Sequence, residues 1–126
     1  MPWLVIYYSE TGNTELVAKA IAEILGTRAV KVGEGDEELV VIGSPTHGGK
    51  PVEPVMEFIK RTTAKKAAIF CTCGADSGET LIEMENGLSS RGIEVVGKLE
   101  IKVGDKKPTD VHLRKAKEFG KSIKRC

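Results

Sequence analysis

The sequence predicts an α/β fold, a three-layer doubly wound sheet of five parallel strands. Two observations carry this. Short apolar runs such as Trp3–Tyr8 and Leu39–Ile42 alternate along the chain with longer segments whose apolar residues recur at helical spacing. Three connections that follow strand runs, residues 9–14, 44–51 and 72–78, are rich in Gly, Ser, Thr or Pro. Strand–helix alternation forces parallel strands and right-handed crossovers, and such sheets bind ligands beyond the carboxyl ends of their strands.

Trp3-Leu4-Val5-Ile6-Tyr7-Tyr8 is short and rich in β-branched and aromatic residues, so it reads as a buried first strand. Leu16, Val17, Ala20, Ile21, Ile24 and Leu25 then repeat with helical period, and Gly26 stops the helix. A short strand is expected over 28–32 and a polar loop over 33–37. Leu39-Val40-Val41-Ile42 reads as a buried strand that ends at Gly43-Ser44-Pro45, followed by a Gly/Pro-rich loop through Pro51. Val55, Phe58 and Ile59 mark an amphipathic helix with Pro54 in its first turn, where a missing N–H costs nothing. Ala67–Cys71 is a fourth strand, 74–78 a loop, and Leu81, Ile82, Met84 and Leu88 define a helix ending near Gly92. Ile93–Val103 reads as a fifth strand broken at Gly97. Thr109–Lys124 is a basic terminal helix with Val111, Leu113, Ala116, Phe119 and Ile123 available to pack. With no internal repeat or linker, residues 1–126 are expected to form one domain.

The chain is 40% hydrophobic and 29% charged, ordinary globular values that argue against disorder. No apolar run approaches the roughly 18 residues that a membrane span requires. The N-terminus runs straight into the first strand and lacks the basic region of a signal peptide. Cys71, Cys73 and Cys126 are an odd set without framework spacing, which points away from a disulfide-stapled secreted protein and towards the cytoplasm. The single C-x-C lacks the second pair that a structural zinc site needs. A net charge of +1 argues against nucleic-acid binding. The charge is unevenly placed, however. Residues 98–126 carry 10 Lys or Arg against 4 Asp or Glu, a basic tail that reads as the solvated face of a terminal helix or as a docking patch.

Ser9-Glu10-Thr11-Gly12-Asn13-Thr14 lies between a strand and a helix start. A helix N-terminus offers unpaired N–H groups and the positive end of its dipole, so it suits an anion. Gly12 permits a backbone turn that brings successive N–H groups together, and Ser9, Thr11, Asn13 and Thr14 add side-chain donors. A helix cap needs one such residue; four around a glycine point to a phosphate held without Lys or Arg. Other phosphate loops do not match. There is no G-x-x-x-x-G-K-[ST], Gly12 stands alone where a dinucleotide fold needs G-x-G-x-x-G, and the loop has no nucleophilic Cys.

The segment resembles the phosphate loop of the flavodoxin family, [ST]-x-T-G-x-T. Gly43-Ser44-Pro45-Thr46-His47-Gly48-Gly49 is similar to the family's second loop, and Phe70-Cys71-Thr72-Cys73-Gly74-Ala75-Asp76 falls where its third lies. The resemblance covers essentially the whole chain. It implies a flavodoxin-like strand order 2-1-3-4-5 and a bound flavin mononucleotide (FMN). It also implies that the flavin ring lies between Pro45, Thr46, His47, Gly48 and Gly49 on one side and Cys73, Gly74, Ala75 and Asp76 on the other. The backbone near Gly48 then faces the flavin N5, where the Gly48–Gly49 peptide can rotate at little steric cost. Taken alone, Gly48-Gly49-Lys50-Pro51 also reads as a simple turn. His47 covers the ring, donates to it, or sits in solvent. Cys73 contacts the flavin or is a small semi-buried residue, and His112 reads as surface. Asp76, Glu79, Glu53 and Glu10 form an acidic rim or merely solvate.

Family members often sandwich the ring between aromatic side chains. Here the third loop has Ala75, and no Trp or Tyr follows Tyr8. Three functions remain open: a monomeric electron carrier between redox protein partners, without catalytic residues of its own; a small FMN-dependent NAD(P)H, quinone or flavin reductase; and a phosphate-binding module with a degenerate flavin site.

Overall fold

A computed structural model of the chain describes residues 3–126. In chain order the elements are β1 (Leu4–Tyr7), α1 (Asn13–Leu25), β2 (Ala29–Lys31), β3 (Leu39–His47), β4 (Lys50–Pro51), α2 (Glu53–Arg61), β5 (Lys66–Cys73), α3 (Thr80–Ser89), β6 (Glu94–Lys102) and α4 (Asp110–Lys124). The five parallel strands lie in the order β2-β1-β3-β5-β6, which is the expected 2-1-3-4-5 once the additional strand β4 is set aside. That sixth strand was not foreseen. It pairs antiparallel with the end of β3, Thr46 with Pro51 and His47 with Lys50.

The continuous apolar runs are explained by burial on both faces of the sheet. Val5, Tyr7, Val41, Ala68 and Phe70 point into one core with Val17, Ile21, Phe119 and Ile123 of α1 and α4. Their neighbours in sequence, Leu4, Ile6, Val40, Ile42, Ala67 and Ile69, point into the other with Val55, Phe58, Ile59, Met84 and Leu88 of α2 and α3. Removing a large side chain from either core costs about 2–5 kcal/mol. Gly43 is demanded by its cross-strand partner: a Cβ there would sit 2.0 Å from the Phe70 ring. The break expected at Gly97 is a β-bulge. Ala67 pairs with Val95 and Ala68 with Gly97, leaving Val96 as the extra residue.

Helix α1 begins three residues before the first predicted apolar position and ends at Gly26, which is left-handed as a C-cap glycine should be. The crossover from β2 to β3 carries no helix. Asp36 pins this loop to the end of α2, accepting from the Thr62 hydroxyl at 2.6 Å and the Thr63 N–H at 2.9 Å. His112 is not idle surface. It occupies the third position of α4, where its Nδ1 accepts the Thr109 N–H at 3.0 Å in a capping box. No helix among the described residues is long and apolar enough to cross a membrane.

Candidate functional site

Parallel strands and right-handed crossovers bring all three predicted loops to the carboxyl edge of the sheet. Between them opens a cleft lined by Glu10, Thr11, Asn13 and Thr14, by Pro45, Thr46 and His47, by Thr72, Cys73 and Gly74, and by Val103 and Gly104. Six of the predicted site residues, Ser9, Gly12, Gly48, Gly49, Ala75 and Asp76, are not part of this lining; Ser9 and Gly12 line neighbouring grooves. The cleft holds about 180 Å³. Whole drug-sized ligands take about 300–1,000 Å³, so a larger guest would leave part of itself on the rim.

The first loop is a helix start more than a loop. Gly12 is the N-cap at φ 94°, and Asn13 and Thr14 already belong to the first turn of α1. Ser9 does the capping. Its Oγ accepts the N–H of Gly12 at 3.1 Å and that of Glu15 at 3.3 Å, which leaves its own proton to donate outward. Among the described residues the N–H groups of Thr11, Asn13 and Thr14 have no acceptor in the protein. Thr14 is buried, with its hydroxyl 2.8 Å from that of Thr72, so the loop is anchored to β5. Asn13 spends its amide on the Lys106 carbonyl at 3.3 Å. The donor set is therefore narrower than the four side chains suggested: three backbone N–H groups with the hydroxyls of Ser9 and Thr11, that of Thr14 being taken up by Thr72.

The second loop is shorter than expected. Pro45, Thr46 and His47 are not loop residues but the end of β3, held by parallel pairing of Pro45 with Thr72 and by β4 on the other side. Their polar composition read as loop, yet Ser44 is fully buried, donating to the Pro45 carbonyl and accepting the Val52 N–H at 3.1 Å. The true turn is Gly48-Gly49, both with positive φ (60° and 76°), the signature of a two-residue type I′ hairpin. Cys73 likewise ends β5, beyond the predicted boundary at Cys71.

The third loop closes on the second. The Gly49 carbonyl accepts the Glu79 N–H at 2.7 Å. Gly78, at φ 55°, approaches so closely that a Cβ there would lie 2.8 Å from the Gly49 Cα and 2.9 Å from its carbonyl oxygen. Beneath, the buried Ser77 hydroxyl donates to Glu100 of β6. Gly78, Ser77 and Glu100 were not among the predicted site residues, nor was Thr72. A second glycine four positions after Gly74 was the only sequence sign of this contact. Ala75 and Asp76 are exposed at the loop's tip.

Glu10 and His47 meet at the cleft mouth, Oε1 to Nε2 at 2.5 Å, joining the first loop to the hairpin. Both are about half exposed, so the pair is weak in water but fixes where the two side chains stand. Of the roles open to His47, this is the one the geometry contains. Burial, reinforced by Cys73 and Glu100 nearby, pushes the Cys71 thiol up to about 12. Burial and Glu100 raise Cys73 as well, with Lys102 opposing. Both therefore stay protonated at neutral pH and are poor nucleophiles. Among the described residues no Phe, Tyr or Trp lines the cleft: Phe58, Phe70, Phe119 and Trp3 are in the cores, and Tyr7 and Tyr8 border a separate groove.

A parallel sheet of order 2-1-3-4-5, with a helix start that leaves N–H groups unpaired at the carboxyl edge of β1, defines a flavodoxin-like α/β protein. The model of the flavodoxin domain matches residues 4–93, and the chain belongs to that family. Among curated proteins none matches it in sequence. A flavodoxin from the domain Archaea is 25% identical, with a TM-score of 0.83 over 99% of this chain and 97% of its own. The rubredoxin oxygen:oxidoreductase of the anaerobe Desulfovibrio gigas is 22% identical at a TM-score of 0.80, and there the match covers 98% of this chain but only 35% of the larger protein. A Lactobacillus acidophilus NCFM flavoprotein in complex with FMN is 20% identical at a TM-score of 0.63, over 79% of this chain and 92% of its own.

Proposed function

We propose that this chain binds FMN non-covalently and carries electrons between redox protein partners. The observation that carries the reading is the set of three N–H groups, Thr11, Asn13 and Thr14, that lie at the start of α1 without an acceptor among the described residues. A phosphate monoester supplies the oxygens they lack, and the helix dipole favours its charge. The one carboxylate in the loop, Glu10, is drawn off towards His47 and so does not oppose the anion directly.

FMN supplies the redox chemistry when bound. The chain's part is to bind and orient. Residues 9–14 hold the phosphate, Thr46 and Gly74 flank the entry, and the hairpin at Gly48-Gly49 presents backbone groups to the ring. The central peptide of that hairpin can exchange type I′ for type II′ geometry without opening the strands, because both turns close a two-residue connection. The three free cysteines suit a reducing cytoplasmic setting.

Titration of the protein with FMN and with riboflavin, followed by quenching of flavin fluorescence, tests this. FMN is expected to bind about a hundredfold more tightly, about 2.7 kcal/mol, because charge-assisted bonds to phosphate are absent from riboflavin. Equal affinities, or no uptake of either, would falsify the reading and leave only a phosphate module or less.

A second reading is favoured by the missing aromatic cover. With Ala75 exposed where a ring often stacks, the outer flavin face stays open to a small substrate, as a reductase requires. Stopped-flow mixing of the FMN-loaded protein with NADPH and NADH separates the two. Rapid bleaching selects the reductase, and a stable flavin spectrum selects the carrier.

A further inference from the structure

We infer that the leading ends of α1 and α4, with the 104–109 connection, form a docking surface for an acidic protein partner. The surface itself does not depend on the flavin reading; only its use in electron exchange rests on it. Helices α1 and α4 lie side by side and both start from the carboxyl edge of the sheet, so their first turns are neighbours of the cleft. Among the described residues three large apolar side chains are exposed, and two of them, Leu16 at 40% and Val111 at 58%, stand on these first turns. Leu113 is partly buried against the core beside them.

On the same two helix starts and the 104–109 connection the charge is mostly positive. Lys106, Lys107, Arg114 and Lys115 are exposed, and among the described residues none has a carboxylate within 4.0 Å. The carboxylates nearby are few: Glu15 is bound to Lys19 at 2.9 Å, and Asp105 and Asp110 interrupt the basic run. Across the cleft the balance is acidic: Glu53, Asp76 and Glu79, around the starts of α2 and α3, are exposed, against the single exposed cation Lys50 of the hairpin. A partner with an acidic face is therefore drawn to the α1/α4 side and turned away from the other. Exposed apolar side chains set among charged ones are the anatomy of a protein interface. The interrupting aspartates and the low net charge fit it better than a nucleic acid or a lipid surface would.

The surface also touches the site. Thr11, Gly12, Leu16 and Lys107 share one groove, and the Lys106 carbonyl holds the Asn13 amide at 3.3 Å. A partner seated here rests against the phosphate loop.

The test uses the full-length, isotope-labelled protein, with and without FMN, titrated with a short acidic peptide carrying two leucines and with its leucine-to-serine analogue. Amide shifts confined to residues 11–19 and 104–117, and about tenfold tighter binding of the leucine peptide, are expected. Lys106→Glu/Lys107→Glu/Arg114→Glu should weaken binding about tenfold or more, and Val111→Ser alone should remove the leucine advantage, with unchanged thermal stability for both. Shifts centred on Lys121, Lys124 and Arg125, or no leucine advantage, would overturn the proposal. So would tighter binding of duplex DNA or phosphatidylglycerol vesicles than of the peptide. Peptide binding by a chain that takes up no FMN would keep the surface and remove its redox use.

Discussion

The end of the cleft proposed for the phosphate is made within one stretch of chain, residues 9–14, whereas the opposite wall exists only because two loops touch, Gly49 against Gly78. At the first end the chemistry is local: a glycine at φ 94°, a serine that caps, and N–H groups that a helix start always leaves over. At the second, a backbone contact between residues 29 positions apart decides the shape, and any side chain at Gly78 would break it. In the proposed reading, local chemistry sets which ligand group is held. The long-range contact sets whether the remainder of the ligand has a wall to lie against.

The largest expected effect comes from breaking that wall. Gly78→Ala places a Cβ 2.8 Å from the Gly49 Cα at a φ of 55°, which L residues rarely adopt. Urea unfolding is expected to show a loss of about 2 kcal/mol. FMN and riboflavin should weaken by the same factor, since the phosphate end is untouched; a selective loss of FMN binding would contradict the division. Ser9→Ala acts on the other end. It removes the acceptor of two N–H groups and costs about 1 kcal/mol of stability. Here FMN should lose affinity while riboflavin does not, a contrast that fluorescence titration reads directly.

The smallest effect belongs to Asp36, at the opposite edge of the sheet, and serves as a control. Burial raises its pKa, but the hydrogen bonds from Thr62, Thr63 and Glu37 outweigh this and hold it below the usual carboxylate value. A depressed folded pKa adds stability that is present above the unfolded value, about 3.9, and is lost as pH falls through the folded one. Asp36→Asn should therefore lower the thermal midpoint at neutral pH and converge on the parent at strongly acid pH, with flavin affinity unchanged throughout. A gap that persists in acid would show that the side chain acts by packing alone.

Periodicity and glycine placement made the layers and the helix start at Gly12 readable, because each depends on contacts within a few residues or on burial of whole faces. The limits of β3 were not readable. Ser44-Pro45-Thr46 has loop composition, and only pairing with Thr72 on β5 and with Pro51 on β4 draws it into the sheet. The Gly49–Gly78 contact, the Thr14–Thr72 pair and the Ser77–Glu100 bond escaped for the same reason: each joins segments distant in sequence, with no periodic trace in either. His112 looked like surface because a histidine that caps has the composition of one that does not.

Of the three cysteines, Cys71 and Cys73 are buried in β5, Cys73 at the cleft wall with its thiol held protonated, and Cys126 stands exposed beyond the last turn of α4, at the end of the molecule away from the cleft. That asymmetry makes the chain a ready-made oriented probe. A maleimide or gold support will take it by one thiol only, and every anchored molecule will then turn its cleft outward, so that current or fluorescence recorded from such a layer reports a single orientation.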